Sequence, residues 1–534
     1  MNSIYYNGKI YVERDRFVQA MLVSDGLVQR IGSLEEVISG LNQNEIEMID
    51  LEGRTVVPGL NDSHCHILGV GQSLACVPLL GVTSMAEIIR LGREFLVEHP
   101  LKDGDILIGR GWNQDYFTDE KRLPTRYDLD KITTDYPVIY TRACGHILVA
   151  NSKALEMAGV TRDTQPLPGG VIYKDENGEP NGLVSENAQA QIQCLIPQLT
   201  PEKVAEDVSL AMEYAASQGI TSVQTCDIRR DAWKLINDGY KLLYANNPNA
   251  IRSYHQSSFN EPVSYTEFLN MGGVTGAGND MFRYGPLKMF VDGSLGARTA
   301  YMRQPYADDP STRGVPTMTV EQFDEMVKIA DDHNCQVAVH CIGDAAIEMV
   351  LNAYDKVIEG RNNKNRHAII HCQITDRPLV ERFMEHDVLA QVQPIFIHYD
   401  MNVVADRVGE ELAKTSYAFG DMYRMGIHTS FGTDSPVEDI NPFHNMYCAV
   451  TRKRLDGARE YLPEQAVDIY DAIDQYTIGS AYASFDESRK GRLMPGYFAD
   501  FAVLDRDIFT IPSEEIKEVK AVKTVLGGKT IFER

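Results

Sequence analysis

The chain lacks the features that mark membrane, secreted and nucleic-acid-binding proteins. No stretch of about 18 uninterrupted apolar residues occurs in its 534 residues, which argues against a membrane span. The first residues, MNSIYYNG, contain no basic segment followed by an apolar segment, so no signal peptide is predicted. The 51 lysines and arginines are outnumbered by 76 aspartates and glutamates, and the net charge of −25 would repel nucleic acid and anionic membranes. We therefore expect neither as a partner.

Cysteine is scarce, and its spacing suggests no disulfide framework. The nine cysteines are scattered and include no C-x-x-C pair. Cys65, Cys335, Cys341 and Cys372 lie in or beside apolar, strand-like runs, so we expect buried and reduced thiols. Reduced thiols fit a cytoplasmic location, which we predict. Hydrophobic residues make up 43% and charged residues 24%, as in soluble globular enzymes.

Both ends of the chain have the pattern of short β strands. Residues 1–58 and 488–534 are rich in β-branched and aromatic residues, and neither segment shows a helix-length period. Asn7-Gly8 predicts a hairpin, and Asp25-Gly26 and Gly527-Gly528 predict turns. The two segments are too apolar to be disordered tails. We therefore predict that they pair into one small β-sandwich domain.

Between the two ends, strand-like and helix-like segments alternate. This pattern over residues 59–487 predicts an α/β fold, a TIM-like (β/α)8 barrel. Residues 67–219 are too long for one crossover, so we predict an insertion there that folds over the barrel mouth. Helix-like stretches include 201–218, 320–333, 343–359 and 376–386. The predicted barrel strands are 55–60, 220–225, 251–256, 286–291, 335–340, 367–371, 388–393 and 427–434.

Polar side chains suited to metal binding follow several of these apolar runs. In an extended segment, residues two apart point to the same side, so His64 and His66 can reach one ion. An isolated H-x-H pair is more often structural, but His340, His371 and Asp434 also end strand-like runs. The carboxyl ends of barrel strands converge on one site, and imidazole and carboxylate are ligands that Zn²⁺ prefers. The pattern predicts a metal-dependent hydrolase.

Lys288 lies inside the apolar run Pro286–Val291, where a lysine is costly unless it is paired or modified. Three interpretations are open: a snorkelling or salt-bridged lysine, a cation that binds substrate, and a lysine carbamylated by CO₂. A carbamate carries two oxygens and could bridge two ions.

Asp292 and Arg298, nearby in sequence, could pair with each other or bind substrate. Asp434 could alternatively cap a turn before Pro436.

Several short motifs occur along nearly the whole chain in a fixed order: VPGLNDSHCH at 57–66, GRGW at 109–112, GH at 145–146 with NSKAL at 151–155, KMFVDGS at 288–294 with RTA at 298–300, HCIGD at 340–344, HCQ at 371–373, GTDSP at 432–436 and GYFAD at 496–500. With these motifs the chain resembles the amidohydrolase superfamily and, within it, the YtcJ-like branch that includes N-substituted formamide deformylases. The resemblance implies the barrel, the composite sandwich and metal binding by His64, His66, His340, His371 and Asp434. It also implies a carbamylated Lys288 that bridges two ions, and a substrate contact from His146 in the insertion.

From this resemblance we expect hydrolysis of an amide-type C–N bond, such as that of an N-substituted formamide, in a small molecule. Two divalent ions, for which we expect Zn²⁺, would lower the pKa of a shared water from about 16 toward 7. Asp434 would accept the proton of this water and return it to the leaving nitrogen. His146 or Arg298 would stabilise the oxyanion or hold a substrate carboxylate. Trp112 would line the pocket, with simple packing of the insertion as the alternative. The resemblance to this family also implies a homodimer.

The sequence leaves three other interpretations of the site open. A mononuclear deaminase usually has a glutamate three residues after the fifth-strand histidine, where this chain has Gly343 followed by Asp344. A lactonase or phosphotriesterase would use the same two-metal site, so only substrate trials separate it from an amidase. A non-catalytic, metal-binding regulatory protein would have a decayed site, whereas all candidate ligands are present here.

Overall fold

The computed structural model describes residues 2–42, 46–360 and 362–534. Met1 and residues 43–45, in the predicted first part of the sandwich, and residue 361, in the predicted barrel, lie outside the described residues. The chain divides into two compact units. The larger consists of the residues up to Gly69 together with Val208–Arg534, and the smaller is Val70–Asp207.

The larger unit contains an eight-stranded, parallel and nearly closed barrel, which confirms the predicted fold class. Neighbouring strands pair in sequence order from the first to the eighth. The strands are β1 (Leu60–Cys65), β2 (Ile220–Thr225), β3 (Arg252–Ser258), β4 (Phe282–Phe290), β5 (Val337–Cys341), β6 (Ala368–His371), β7 (Leu389–Val392) and β8 (Thr429–Phe431).

Hydrogen bonds just beyond β8 bring the last strand back to the first. The amide of Asp434 donates to the carbonyl of His64 at 2.8 Å. The Thr433 hydroxyl donates to the Asp62 carboxylate at 2.6 Å, and the Asp62 carboxylate also accepts the amide of His64 at 3.0 Å. Asp62 is fully buried, so these bonds satisfy its carboxylate inside the protein. They hold the β1 and β8 segments of the site together.

The helices of the alternating segment bury one apolar stripe each. In Val320–Asp332, a capping box between Thr319 and Gln322 starts the helix, and Phe323, Met326, Val327 and Ala330 form its buried face.

The predicted helix-like stretches at 201–218, 320–333, 343–359 and 376–386 are all helical over most of their length. The α-helices of the described residues are Leu34–Ile38, Ile67–Leu74, Met85–Glu98, Arg126–Leu129, Ser152–Met157, Ala190–Gln193, Pro201–Ser217, Trp233–Asn246, Pro262–Asn270, Val320–Asp332, Asp344–Tyr354, Arg377–Glu385, Ile397–Asp400, Val404–Val408, Glu410–Ala413, Phe419–Arg424, Pro442–Thr451, Ile469–Asp474 and Ser480–Ala483.

The first barrel strand lies later in the chain than the predicted run 55–60. The segment Thr55–Pro58 is a separate strand that pairs with Lys9–Glu13 and Phe501–Leu504. The barrel strand is the next one, Leu60–Cys65, and it includes the polar residues before His64. The apolar pattern could not show this division, because two buried strands that belong to different sheets are separated by one glycine.

Both termini form the predicted β-sandwich, because one of its two sheets combines strands from each end. This six-stranded sheet has the order Lys529–Glu533, Ala521–Leu526, Phe501–Leu504, Thr55–Pro58, Lys9–Glu13, Arg16–Val18. The other sheet has the order Leu27–Gly32, Ala20–Ser24, Asn2–Tyr6, Ile46–Asp50. Side chains of both sheets share one buried core, in which the rings of Tyr5 and Phe501 pack edge to face at 4.9 Å.

One predicted turn of the sandwich is wrong and two are confirmed. Asn7-Gly8 makes no hairpin, because the strands on its two sides enter different sheets. Asp25-Gly26 and Gly527-Gly528 each join two antiparallel neighbours, and all four residues have the positive φ that such tight turns require.

The smaller unit, Val70–Asp207, contains a six-stranded mixed sheet and its own apolar core. Two strands of this sheet are Leu107–Trp112 and Val138–Arg142. The sheet has the order Gly170–Lys174, Pro180–Glu186, Ile147–Ala150, Val138–Arg142, Leu107–Trp112, Val77–Pro78.

All nine cysteines lie in the described part of the chain, and all are free thiols. The four that were predicted to be buried are buried: Cys65, Cys335, Cys341 and Cys372. No helix within the described ranges is long and apolar enough to cross a membrane.

Candidate metal centre

The side chains of His64, His66 and Asp434 meet at the carboxyl ends of β1 and β8. The Nε2 atoms of both histidines lie 3.2 Å from the same Asp434 oxygen, Oδ1. One potential ligand atom from each of the three residues lies within 4.8 Å of the other two. The three side chains therefore form a compact set of two nitrogen donors and one oxygen donor.

This set fits a divalent metal such as zinc. Zinc bonds of about 2.0–2.2 Å to nitrogen and oxygen in a tetrahedral site place the ligand atoms roughly 3.3 Å apart. The observed separations of 3.2 Å between Asp434 Oδ1 and each Nε2 match that spacing.

His340 and His371, from the ends of β5 and β6, extend the cluster. The ring centroid of His371 lies 5.6 Å from that of His64 and 4.4 Å from that of His340. His371 has a φ of 81° and Asp434 a φ of 58°, both in the left-handed region that non-glycine residues seldom adopt. Such backbone conformations cluster at functional sites, where surrounding contacts hold them in place. The structure thus brings together all four histidines that the sequence analysis singled out, and Asp434 with them.

Each of these histidines has one ring nitrogen next to an oxygen acceptor. His64 Nδ1 donates to Gln256 Oε1 at 2.6 Å, and His371 Nδ1 donates to Gln393 Oε1 at 2.8 Å. These bonds leave Nε2 of both rings free of a proton and able to bind a metal. The sequence analysis missed Gln256 and Gln393. They could have been predicted because each is a glutamine in or just after a buried barrel strand, where a side-chain amide needs a hydrogen-bond partner.

The other two histidines use backbone carbonyls in the same way. His66 Nδ1 lies 3.2 Å from the carbonyl of Cys226, and His340 Nε2 lies 3.0 Å from the carbonyl of Gly293. Asp292 Oδ1 is 3.4 Å from the same His340 nitrogen. His66 is therefore free at Nε2 and His340 at Nδ1.

Lys288 projects from β4 and is completely buried. Its Nζ has no hydrogen-bond partner among the described residues and lies 4.7 Å from the centroid of the Phe290 ring. Its positive charge is among the causes that lower the pKa of His64, His340 and His371. A buried amine without a hydrogen-bond partner lowers the stability of the folded protein. The Lys288 amine is therefore suited to a role in which it acquires bonding partners only when the metal site is assembled.

The electrostatics of the cluster favour neutral imidazoles at His64, His340 and His371 and an ionised carboxylate at Asp434. At His66, burial favours the neutral ring, but the adjacent Asp434 carboxylate outweighs it and raises the pKa. Burial, together with the charge of Lys288, lowers the pKa of His64 to about 4 and that of His340 to about 3. Burial and the neighbouring His340 lower the pKa of His371 well below its usual value. Burial alone would raise the pKa of Asp434, but the imidazoles of His64 and His66, whose Nε2 atoms lie 3.2 Å from Oδ1, outweigh it and hold that pKa well below its ordinary value. These are the protonation states that metal ligands need.

The three predicted substrate contacts lie in different settings. His146, in the smaller unit, is exposed and pairs through Nδ1 with Glu186 Oε2 at 3.1 Å. Trp112, in the same unit, is fully buried in an apolar core, and its indole N–H donates to the carbonyl of Tyr140. Packing accounts for its burial, and contact with a substrate stays a prediction. Arg298 makes a bidentate ion pair with Asp308 at 3.0 and 2.8 Å.

Comparisons with known proteins point to one family. A model of the Amidohydrolase family matches residues 47–532. The chain is 34% identical to the YtcJ protein of Bacillus subtilis (strain 168) over 540 residues, with 100% of each chain covered. It is 25% identical to an N-substituted formamide deformylase of Arthrobacter pascens over 547 residues, covering 98% of this chain and 96% of that protein.

A solved structure, described as an uncharacterized metal-dependent hydrolase from Pyrococcus horikoshii OT3, superposes with a TM-score of 0.78. The two chains are 30% identical, and the match covers 96% of this chain and 99% of that one. The family match over most of the chain and the full-length similarity to YtcJ confirm the resemblance drawn from the motifs. The chain belongs to the amidohydrolase family, in the branch that contains YtcJ and the formamide deformylase.

Proposed function

We propose that the protein hydrolyses an amide-type C–N bond of a small molecule, with N-substituted formamides as the first substrate class to test. The observation that carries the proposal is the convergence of four histidines, Asp434 and Lys288 at the carboxyl end of one barrel, where the buried lysine has no partner among the described residues. The similarity to a formamide deformylase supports the choice of substrate class.

The residues present fit two divalent ions, for which we propose Zn²⁺. His64, His66 and Asp434 would hold one ion, and His340 and His371 the other. Lys288, carbamylated at the Nζ that lacks a partner, would contribute one oxygen to each ion. When bound, the ions would lower the pKa of a water molecule toward about 7 and polarise the substrate carbonyl.

Asp434 performs the proton transfers in this proposal. Its carboxylate stays ionised because His64 and His66 face Oδ1, so it can accept the proton of the attacking water. The same carboxyl then donates the proton to the nitrogen of the leaving amine. The hydrogen bond from the Asp434 amide to the carbonyl of His64 fixes the position of this side chain beside the imidazoles.

The structure gives less support to a deaminase. The position three residues after His340 is Gly343, whose amide donates to Asp292 at 2.8 Å. The next residue, Asp344, begins a helix and accepts the amide of Arg303 at 2.9 Å. The carboxylate that follows the deaminase position in sequence thus accepts a backbone amide at the start of a helix, which favours Asp434 as the carboxylate for proton transfer.

The first experiment measures metal content and turnover on the same preparations. Wild-type protein purified without chelators should hold near two equivalents of metal and hydrolyse a panel of N-substituted formamides and other amides. His64→Ala and Asp434→Ala should lose turnover while they keep the fold, as judged by circular dichroism. His333→Ala is the control, because this exposed histidine caps a helix elsewhere in the barrel. Full activity in either site variant would refute the site, and bound metal without turnover of any amide would refute the activity.

The predicted homodimer, the cytoplasmic location and the absence of nucleic-acid and membrane partners belong to the same proposal. Light scattering coupled to size-exclusion chromatography tests the first of these, because a dimer of the 59.8 kDa chain doubles the measured mass.

A further inference from the structure

A cavity of about 260 Å³ opens where β2, β3 and β4 end. Its lining comes from the last residues of β3 and β4, from the segments that follow β2 and β3, and from residues near 317, all within the larger unit. Catalytic sites of such barrels lie at this end of the strands. Pockets for whole drug-sized ligands are typically about 300–1,000 Å³, so this cavity suits one part of a substrate.

Phe290 connects the cavity to the metal centre. It lines the cavity and is 39% exposed, an unusual exposure for a phenylalanine at the end of a barrel strand. Its ring centroid lies 5.3 Å from that of His340 and 4.7 Å from Lys288 Nζ. A group bound in the cavity against Phe290 is therefore close to the proposed reaction site.

The cavity has both apolar and polar walls, and one charged group on them has no partner among the described residues. Phe259, Met289 and Met318 contribute apolar surface. Arg229 also lines the cavity, and its exposed guanidinium makes no hydrogen bond or ion pair with any residue that the structure describes. An arginine fork without a partner, beside an apolar wall, matches a carboxylate attached to an apolar group.

The adjacent Arg230 also lines the cavity, but its guanidinium is paired. Its Nε lies 2.9 Å from Asp231 Oδ1, and Nη1 lies 3.4 Å from Asn260 Oδ1 and 3.9 Å from Glu261 Oε2. Arg298, predicted from sequence to hold a substrate carboxylate, is likewise occupied by Asp308. Arg229 is the arginine at this cavity that remains available to a ligand.

We propose that Arg229 binds a carboxylate of the substrate, so that the preferred substrates are N-formyl or other N-acyl derivatives of apolar amino acids. This inference rests on the proposed function for the amide, whereas the anion subsite itself does not depend on turnover. The apolar side chain would pack against Phe290 and Met318, and the carboxylate would face Arg229. Neutral N-substituted formamides would lack the second contact.

A binding experiment isolates the subsite from catalysis. Isothermal titration of metal-loaded protein compares L-phenylalanine with 2-phenylethylamine, which differ only in the carboxylate and cannot be hydrolysed. Wild-type protein should bind L-phenylalanine at least about tenfold more tightly, as expected for a charge-assisted hydrogen bond. Arg229→Gln should remove this preference and leave the affinity for 2-phenylethylamine unchanged. Arg230→Gln is the matched control and should keep the preference.

The N-formyl derivatives of the same two amines then test turnover. The ratio of their kcat/KM values should favour the carboxylate-bearing substrate in wild-type protein and in Arg230→Gln, and approach one in Arg229→Gln. Equal affinities in wild-type protein, no binding of L-phenylalanine at millimolar concentration, or an unchanged preference in Arg229→Gln would each overturn the inference. A preference that depends on Arg229, without turnover of either formamide, would support the subsite and refute the proposed activity.

Discussion

Replacing Lys288 with methionine should change stability in opposite directions with and without metal. Lys288 is completely buried, and its Nζ has no partner among the residues that the structure describes. Methionine has a similar length and shape and no polar atom that needs a hydrogen bond, so it should fit the same space. In metal-free protein the substitution removes a buried, unsatisfied donor.

The expected change in stability follows from the hydrogen bond that Lys288 Nζ does not make in the metal-free protein. Burying a polar group without a partner costs about 1–3 kcal/mol, so metal-free Lys288→Met should be more stable than the wild type by about that amount. Unfolding entropy of about 2.1 cal/mol/K per residue gives about 1.1 kcal/mol/K for 534 residues. The melting temperature of the metal-free variant should therefore rise by about 1–3 °C.

Added metal should reverse this order. At a concentration 100 times its Kd, a bound ion stabilises a folded protein by about 2.7 kcal/mol. The variant lacks the residue proposed to bridge the ions, so it should lose most of this gain together with its metal. Differential scanning fluorimetry on chelated and zinc-loaded samples, with metal content measured by elemental analysis, gives both comparisons.

Lys490→Met is the matched control, because Lys490 is a second buried lysine that does have partners. Its Nζ donates to Ser222 Oγ at 2.9 Å and lies 3.2 Å from Asp486 Oδ2. Its replacement should destabilise the protein whether or not metal is present. A metal-free Lys288→Met that is less stable than the wild type, or that keeps two equivalents of zinc, would refute the reasoning.

Three further predictions concern the surroundings of the site. Gln256→Leu removes the acceptor 2.6 Å from His64 Nδ1 and should lower metal affinity by about 10–100-fold in a chelator competition assay. Gly432→Ala places a Cβ 2.5 Å from the amide nitrogen of His64, so it should destabilise the protein by about 1–3 kcal/mol in urea unfolding and reduce metal content. Burial raises the pKa of Asp400 to about 6, above the usual 3.8, so the folded protein holds this proton more tightly and stability falls as pH rises from about 4 to 6. Asp400→Asn, which can still accept the hydrogen bond from Tyr417, should equal the wild type near pH 4 and exceed it by up to about 3 kcal/mol at pH 8 in the same unfolding assay.

Each of these predictions has a control or a contradicting outcome. Gln256→Glu keeps an oxygen acceptor and should hold metal affinity within about tenfold of the wild type, since carboxylates commonly serve this role. Gly296→Ala meets no atom within 4 Å and should not change stability. Parallel stability curves for Asp400→Asn and the wild type between pH 4 and 8 would contradict the assignment to Asp400.

Much of the fold was predictable because it rests on local patterns. The period of apolar residues gave the alternating strands and helices, and turn residues located two of the hairpins. The first barrel strand was misplaced, since Thr55–Pro58 and Leu60–Cys65 are both buried and only their partners assign them to different sheets. The prediction of a hairpin at Asn7-Gly8 was wrong for the same reason, since the strands on its two sides belong to different sheets.

The residue types of the candidate site were also evident from the sequence, because several residues that can bind a metal end different strand-like runs and one lysine lies inside another. Sequence spacing could not show that His64 and Asp434, 370 positions apart, share one contact at 3.2 Å. It also could not show that Gln256 and Gln393 leave Nε2 of two imidazoles free.

The sequence by itself therefore determined the family, the fold class and the kinds of ligand that the protein can offer. Only the tertiary structure decided which ring nitrogen of each histidine faces the site. It also decided that Arg298 is paired, whereas Lys288 and Arg229 have no partner among the described residues. The physical reason is that residue type and period are local properties of the chain, whereas pairing and burial depend on segments that the barrel brings together from distant positions.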